Sequence, residues 1–310
     1  MASKTRIEWS EATWNYINGC TVLSPGCRDC YAMDLAGTRL KHHPSRAGLT
    51  HLVNGRHVWT GEVRVWEPWL RQPMQWTKPR RIFVCAHGDL FHESVDDETI
   101  DKVCAVMNLC QQHTFQITTK RPERARSYFT QATAPGRQFA HIMRLGADKT
   151  IGERSAAANR LGKPLPNVWM GTSVERQQEA NERIPHILAT PAAVRWVSAE
   201  PLLGPINFKG IACTIDGNAV SKNALDGSFY IPGVSSISSH ILRSGSKIDW
   251  IIVGGESGPR PRDNGFLDNA RDILAQCRAA GVAFFGKQNV GKTPLPPDLD
   301  VKEYPIPRTQ

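Results

Sequence analysis

Short apolar runs recur along the chain, and each stops at a polar or charged residue. Arg81-Ile-Phe-Val-Cys-Ala86 ends in His87-Gly88-Asp89, and Thr114-Phe-Gln-Ile-Thr-Thr119 ends in Lys120-Arg121-Pro122. Asn167-Val-Trp-Met-Gly171 ends in Thr172-Ser173-Val174-Glu175, and Val194-Arg-Trp-Val-Ser198 ends in Ala199-Glu200-Pro201. Ile248-Asp-Trp-Ile-Ile-Val253 runs into Gly254-Gly255-Glu256, and Val282-Ala-Phe-Phe285 into Gly286-Lys287-Gln288. Between these runs apolar residues recur at helical spacing, over 31–41, 97–113, from Glu175 to about Leu188, and over Leu267–Ala280 with Gly281 as its stop. Continuous apolar strands alternating with helices predict a parallel sheet covered by helices. The expected fold class is α/β, a partial (β/α) barrel of about six to seven parallel strands, formed by a single domain over residues 1–310. In such barrels the C-terminal strand ends form the mouth of the active site.

Two stretches interrupt the series. Residues 131–166 are rich in Ala, Gly and basic residues, with a helical piece at Gln138–Leu145; residues 209–247 are rich in Gly, Ser and Asn and read as a long loop or hairpin. Connections this long are commonly lids or binding insertions. Glu62–Trp66 alternates as an exposed strand does, and His42-His43-Pro44 reads as a solvated turn.

The most distinctive chemistry precedes the strand series. Cys20, Cys27 and Cys30 stand in a C-x6-C-x2-C loop, with Pro25-Gly26 turning the chain between the first two. The other five cysteines are scattered, so the eight do not form the dense framework of a disulfide scaffold. A closed zinc site takes four ligands. Three clustered thiolates suit an iron–sulfur cubane that leaves one iron open, and a zinc site completed by His42, His43 or a carboxylate is the alternative. The net charge of +9 favours an anionic partner such as nucleic acid or a nucleotide derivative, with Lys78–Arg81 and Arg121–Arg126 as basic segments. The N-terminus lacks the apolar core of a signal peptide and no apolar run is long enough to span a bilayer, so a cytoplasmic protein with no membrane partner is expected.

These strings together resemble the three-cysteine radical S-adenosylmethionine superfamily, and more narrowly a phage-associated radical-SAM-like family of unknown function. The similarity rests on Thr13-Trp-Asn15, Ser24-Pro-Gly-Cys27-x-x-Cys30-Tyr-Ala32, Asp89-Leu-Phe-His92, Thr119-Lys-Arg-Pro-Glu-Arg124, Gly171-Thr-Ser-Val-Glu175, Ser198-Ala-Glu-Pro-Leu-Leu-Gly204, Gly254-Gly-Glu-Ser-Gly258 and Lys287-Gln288. The resemblance implies that Cys20, Cys27 and Cys30 hold a [4Fe–4S] cluster whose open iron chelates S-adenosylmethionine. It implies an electron donor such as a flavodoxin or ferredoxin, and the cytoplasm of a phage-infected or prophage-bearing bacterium. A nucleic-acid base or modified base is the candidate substrate.

The superfamily's commonest pattern is C-x3-C-x2-C, with a Gly-Gly-Glu after the second strand; here Asp89 holds that place and Gly254-Gly-Glu256 ends a late strand. Asp89 is therefore the candidate for the methionine amino group, with Ser173, Glu175, Gly254, Gly255 and Gln288 as further cofactor contacts. Lys120, Glu200, Glu256 and Lys287 are the candidate catalytic residues. Each has a plain alternative: Asp89 and Glu256 as helix caps, Ser173 as a cap, Lys120 in a salt bridge, Tyr31 in the core. Arg121, next to Pro122, reads as structural. Glu200 needs a cationic partner, Lys120 or Lys287, because a buried unpaired carboxylate is costly. Two other classes stay open. One is a metal- or cluster-containing nucleic-acid-binding protein without radical chemistry. The other is a barrel hydrolase using Glu200 and Glu256 as acid and base.

Overall fold

The computed structural model describes residues 5–215, 217–230, 245–258 and 260–306. Seven strands form one parallel sheet: β1 (Ala12–Trp14), β2 (Arg81–Val84), β3 (Thr114–Thr119), β4 (Val168–Ser173), β5 (Val194–Ala199), β6 (Trp250–Gly254) and β7 (Ala283–Gln288). Their spatial order is their sequence order. The class is the expected one, α/β with a partial (β/α) barrel sheet. The apolar runs make central strands because both faces are covered: every residue of β6, and all of β4 except Ser173, is buried.

The chain folds as two compact units, and β4 passes from one into the other. The first comprises residues 1–23, 30–170 and 190–193. It holds β1 to β3, the first half of β4, α1 (Tyr31–Gly37), α2 (Asp97–Leu109), α3 (Pro122–Thr130), α4 (Ala134–Leu145) and α5 (Ile151–Ala158). Its core is built on Trp14, Phe115, Tyr128 and Ile117, each fully buried. A side chain of that size contributes about 1.5–3 kcal/mol when buried. Asp96 caps α2 by accepting from Thr99 N at 2.7 Å. This helix is shorter than its pattern predicts, ending at Leu109, because residues 110–113 turn the chain back to start β3. The 131–166 insertion is helical: α4 and α5 pack beside α2, and α5 opens on a Thr150/Glu153 capping box.

The second unit comprises residues 24–29, 171–189 and 194–310. It holds the rest of β4, β5 to β7, α6 (Gln177–Ala189) and α7 (Phe266–Ala280). Gly281, at φ 63°, ends α7 as the sequence predicts. The described part of the 209–247 stretch is an antiparallel sheet of Ile211–Ile215, Asn218–Lys222 and Phe229–Tyr230; residues 231–244 of that stretch lie outside the described residues.

The Glu62–Trp66 pattern yields only a two-residue strand, Arg64–Val65, paired with Ile17–Asn18. Beyond that pair, Gly19 bridges Gly88, which brings Cys20 alongside the loop that follows β2.

Candidate functional site

In the first unit the loop after β2 and the end of β3 meet at one carboxylate. Asp89 is 5 % exposed. Its Oδ1 accepts from Phe91 N at 3.0 Å and the Thr119 hydroxyl at 2.7 Å; its Oδ2 accepts from Lys120 N at 3.1 Å and Arg121 Nη1 at 3.2 Å. A carboxylate offers about four lone-pair sites, so the chain itself occupies all of them. Arg121 also donates from Nε to Glu93 at 2.7 Å, from Nη1 to Cys20 Sγ at 3.6 Å, and from Nη2 to the Thr21 hydroxyl. Burial works to lower the Arg121 pKa, but Glu93 and Asp89 outweigh it and raise it, so the guanidinium stays charged. Burial pushes the Cys20 thiol up to about 12, Asp89 adding to the rise and Arg121 opposing it. Metal ligation overrides such a rise, since a coordinating thiol is deprotonated outright.

A second cation lies in the same unit. Arg46 is 3 % exposed, stacks 4.9 Å over Trp69, and donates to His87 Nδ1 at 2.6 Å. Burial pulls Arg46 down to about 10 and His87 to about 3, so His87 is a neutral acceptor. Tyr31, which follows Cys30, donates to Ala86 O at 2.6 Å and sets its ring edge-on to His87.

In the second unit the carboxylates are spread out, each with its own cation. Glu175 is fully buried; its Oε2 meets Arg183 Nη1 at 3.0 Å and its Oε1 accepts from the Ser24 hydroxyl at 2.9 Å. Ser24 in turn lies 3.8 Å from Cys27 Sγ. A Cβ on Gly26 would stand 2.4 Å from the Glu175 side chain, so only glycine lets the cysteine loop seat there. Glu256, 3 % exposed, binds Arg262 through both oxygens and Arg28 through Oε2 at 3.3 Å. Arg262 donates onward to Pro25 O at 2.9 Å. Burial works to raise the Glu256 carboxyl, but the Arg262 hydrogen bonds and the charges of Arg262 and Arg28 hold it below its ordinary value. Glu175 and Glu256 thus clamp segment 24–29.

Glu200 finds the partner it needs in Lys287, Nζ to Oε1 at 2.8 Å, and its Oε2 accepts from the Ser198 hydroxyl at 3.1 Å. Gly254 and Gly255 are glycines because the chain itself crowds them. A Cβ on Gly254 would stand 2.5 Å from Glu200 Oε1, and one on Gly255 2.4 Å from Val290 N. Gln288 returns an amide hydrogen bond to Gly255 O at 3.1 Å. Ser173 uses its carbonyl, which accepts from Arg183 Nη1 at 2.8 Å.

A family model matches residues 4–295, a span that contains every one of these groups. The chain belongs to the family described as "Protein of unknown function (DUF5131)". No curated protein and no solved structure matches it. In this DUF5131 chain the thiols suit an iron–sulfur cluster by donor chemistry. None of the eight cysteines forms a disulfide. Cys20 and Cys30 pack against the apolar cluster of Ala32, Met33, Ala36, Leu49 and Trp59, and a guanidinium donates to the Cys20 sulfur. Cys20 and Cys30 belong to the first unit and Cys27 to the second. Among the described residues, no group of three or more His, Cys, Asp and Glu side chains could hold a metal ion as arranged.

Arg121, read as structural beside Pro122, does hold Asp89 and Glu93, and it also reaches the Cys20 sulfur. The sequence reading leaves out Arg183 and Arg262. The signal for them is the demand of each buried carboxylate for a cation, applied there only to Glu200.

Proposed function

We propose that this chain is a radical S-adenosylmethionine enzyme in which Cys20, Cys27 and Cys30 hold a [4Fe–4S] cluster. The observation that carries the reading is the C-x6-C-x2-C loop with Arg121 donating to the Cys20 sulfur. When bound, such a cluster supplies the electron that cleaves S-adenosylmethionine to methionine and a 5′-deoxyadenosyl radical, which takes hydrogen from a substrate.

The chain's own residues position the parts. Arg121, fixed by Asp89, offers a charge-assisted hydrogen bond to Cys20. Glu175 through Ser24, and Arg262 through Pro25 O, hold the segment that carries Cys27. Asp89, Ser173, Glu175, Gly254, Gly255 and Gln288 serve the cofactor by shaping the strand ends, more through support than through spare hydrogen-bonding capacity. Lys120, Glu200, Glu256 and Lys287 are assigned to the substrate side. A nucleic-acid base is the proposed substrate, in keeping with the net charge of +9. A flavodoxin or ferredoxin serves as reductant in a bacterial cytoplasm. No helix among the described residues is long and apolar enough to cross a membrane.

The same net charge favours a second reading, a cluster- or metal-containing nucleic-acid-binding protein without radical chemistry. An acid–base hydrolase with Glu256 as its general acid is disfavoured, because a general acid needs a raised pKa and Glu256 is held low by its arginines. The deciding test is anaerobic iron and sulfide loading, reduction, addition of S-adenosylmethionine and mass spectrometry for 5′-deoxyadenosine. Its formation is expected. A loaded, reduced protein that makes none while binding nucleic acid is the second reading.

A further inference from the structure

The first unit carries a cleft of about 280 Å³ that the strand-end chemistry does not use. It lies beside Val168, the first residue of β4, whereas Asp89 and Lys120 follow the last residues of β2 and β3. In a parallel sheet those are opposite ends of the strands. Met107, Phe129 and Met170 give it an apolar floor, and the 131–166 insertion supplies Pro135, Leu165, Arg160 and Lys163.

The polar side of this cleft has one sign. Among the described residues no Asp or Glu lines it, while Arg160 and Lys163 both do. Asn108 fixes the Arg160 guanidinium, its Oδ1 accepting from Nε at 2.8 Å and its carbonyl from Nη2 at 3.0 Å. Asn108 is itself tied to Ala157 O at 2.9 Å. Among the described residues Arg160 Nη1 makes no hydrogen bond, and no carboxylate pairs with the guanidinium. Burial lowers the Arg160 pKa with no opposing charge, as expected of a half-buried cation without a counterion. A guanidinium aimed by two neutral bonds, beside an apolar floor, keeps one donor edge for an anion. The volume sits near the lower end of ligand clefts, which run from roughly 300 Å³ upward, and suits a ligand with one ring.

We infer that this cleft binds a small organic anion, with a one-ring apolar body over Met107, Phe129 and Met170 and a carboxylate or phosphate at Arg160 and Lys163. The site is independent of the radical-SAM reading. It explains why the insertion is folded and capped by its own box rather than left as a loose loop.

The test uses the full chain and three probes of similar shape: benzoate, phenyl phosphate and neutral benzyl alcohol. Titration calorimetry with ligand-observed NMR measures each. Saturable binding of benzoate, phenyl phosphate or both is expected, and whichever binds tighter identifies the anionic group. Benzyl alcohol, and either anion with Arg160→Met, should bind about tenfold more weakly or worse, the loss of a charged hydrogen bond. Ala132 is exposed at the rim, so Ala132→Trp should block the cleft with Arg160 intact; it decides the matter if Arg160→Met does not fold. Equal binding of alcohol and anions, no saturable anion binding, or unchanged binding in Ala132→Trp overturns the proposal.

Discussion

Beside the cysteines the two units handle buried charge in different ways. In the first, one carboxylate, Asp89, collects four donors, and its arginine reaches a thiol. In the second, three carboxylates have separate cationic partners: Glu175 has Arg183, Glu200 has Lys287, and Glu256 has both Arg262 and Arg28. The first arrangement concentrates charge beside Cys20. The second distributes it, and two of its three pairs fasten the segment that carries Cys27. The arginines on Glu256 hold its carboxyl below the ordinary value, which makes it a poor proton donor at neutral pH. So the contrast separates an arginine that touches the Cys20 sulfur from ion pairs that hold the segment bearing Cys27.

Removing Arg121 should break the contrast most. Arg121→Met leaves Asp89 buried without its countercharge, and a cost of about 3–5 kcal/mol is expected from such a loss, read from urea unfolding. In the second unit Arg262→Met should cost less, about 1.5–3 kcal/mol, the worth of hydrogen bonds to a charged group, because Arg28 remains on Glu256.

The acid limb sharpens the same comparison. The Glu256 carboxyl lies below its ordinary 4.5 in the folded state. Its contribution is therefore complete above pH 4.5 and is lost as pH falls through the lowered folded value. Glu256→Gln should be less stable at neutral pH and should flatten that part of the pH–stability curve; equal slopes below pH 4.5 would contradict the clamp. The smallest expected effect is Thr150→Ala, which removes the capping box of α5 for about 1 kcal/mol. Its thermal unfolding should shift while iron content stays unchanged.

Most of the sheet was legible, because strands buried on both faces write themselves as continuous apolar runs and parallel strands must alternate with helices. The strand-end residues were legible as positions but not as roles. Lys287 could be offered to Glu200 because a buried carboxylate needs a cation and both lie at strand ends. Arg183 lies on a helix and Arg262 in a loop, so no periodicity marks either as the partner of Glu175 or Glu256. At Gly254 and Gly255 the space a Cβ would take is filled by Glu200 and by the backbone at Val290. Such close approaches are tertiary facts without a local pattern. The cleft at Arg160 was invisible for the same reason: its lining is drawn from four separate stretches of chain.

The central claim is that Cys20, Cys27 and Cys30 hold an iron–sulfur cluster. Iron and acid-labile sulfide content after anaerobic reconstitution, compared between the natural chain and Cys27→Ala of equal far-UV circular dichroism, tests it most directly. The account predicts about four irons per chain with a brown chromophore, both lost in the variant. A colourless protein with stoichiometric zinc, or a Cys27→Ala variant that keeps its full iron, would contradict it.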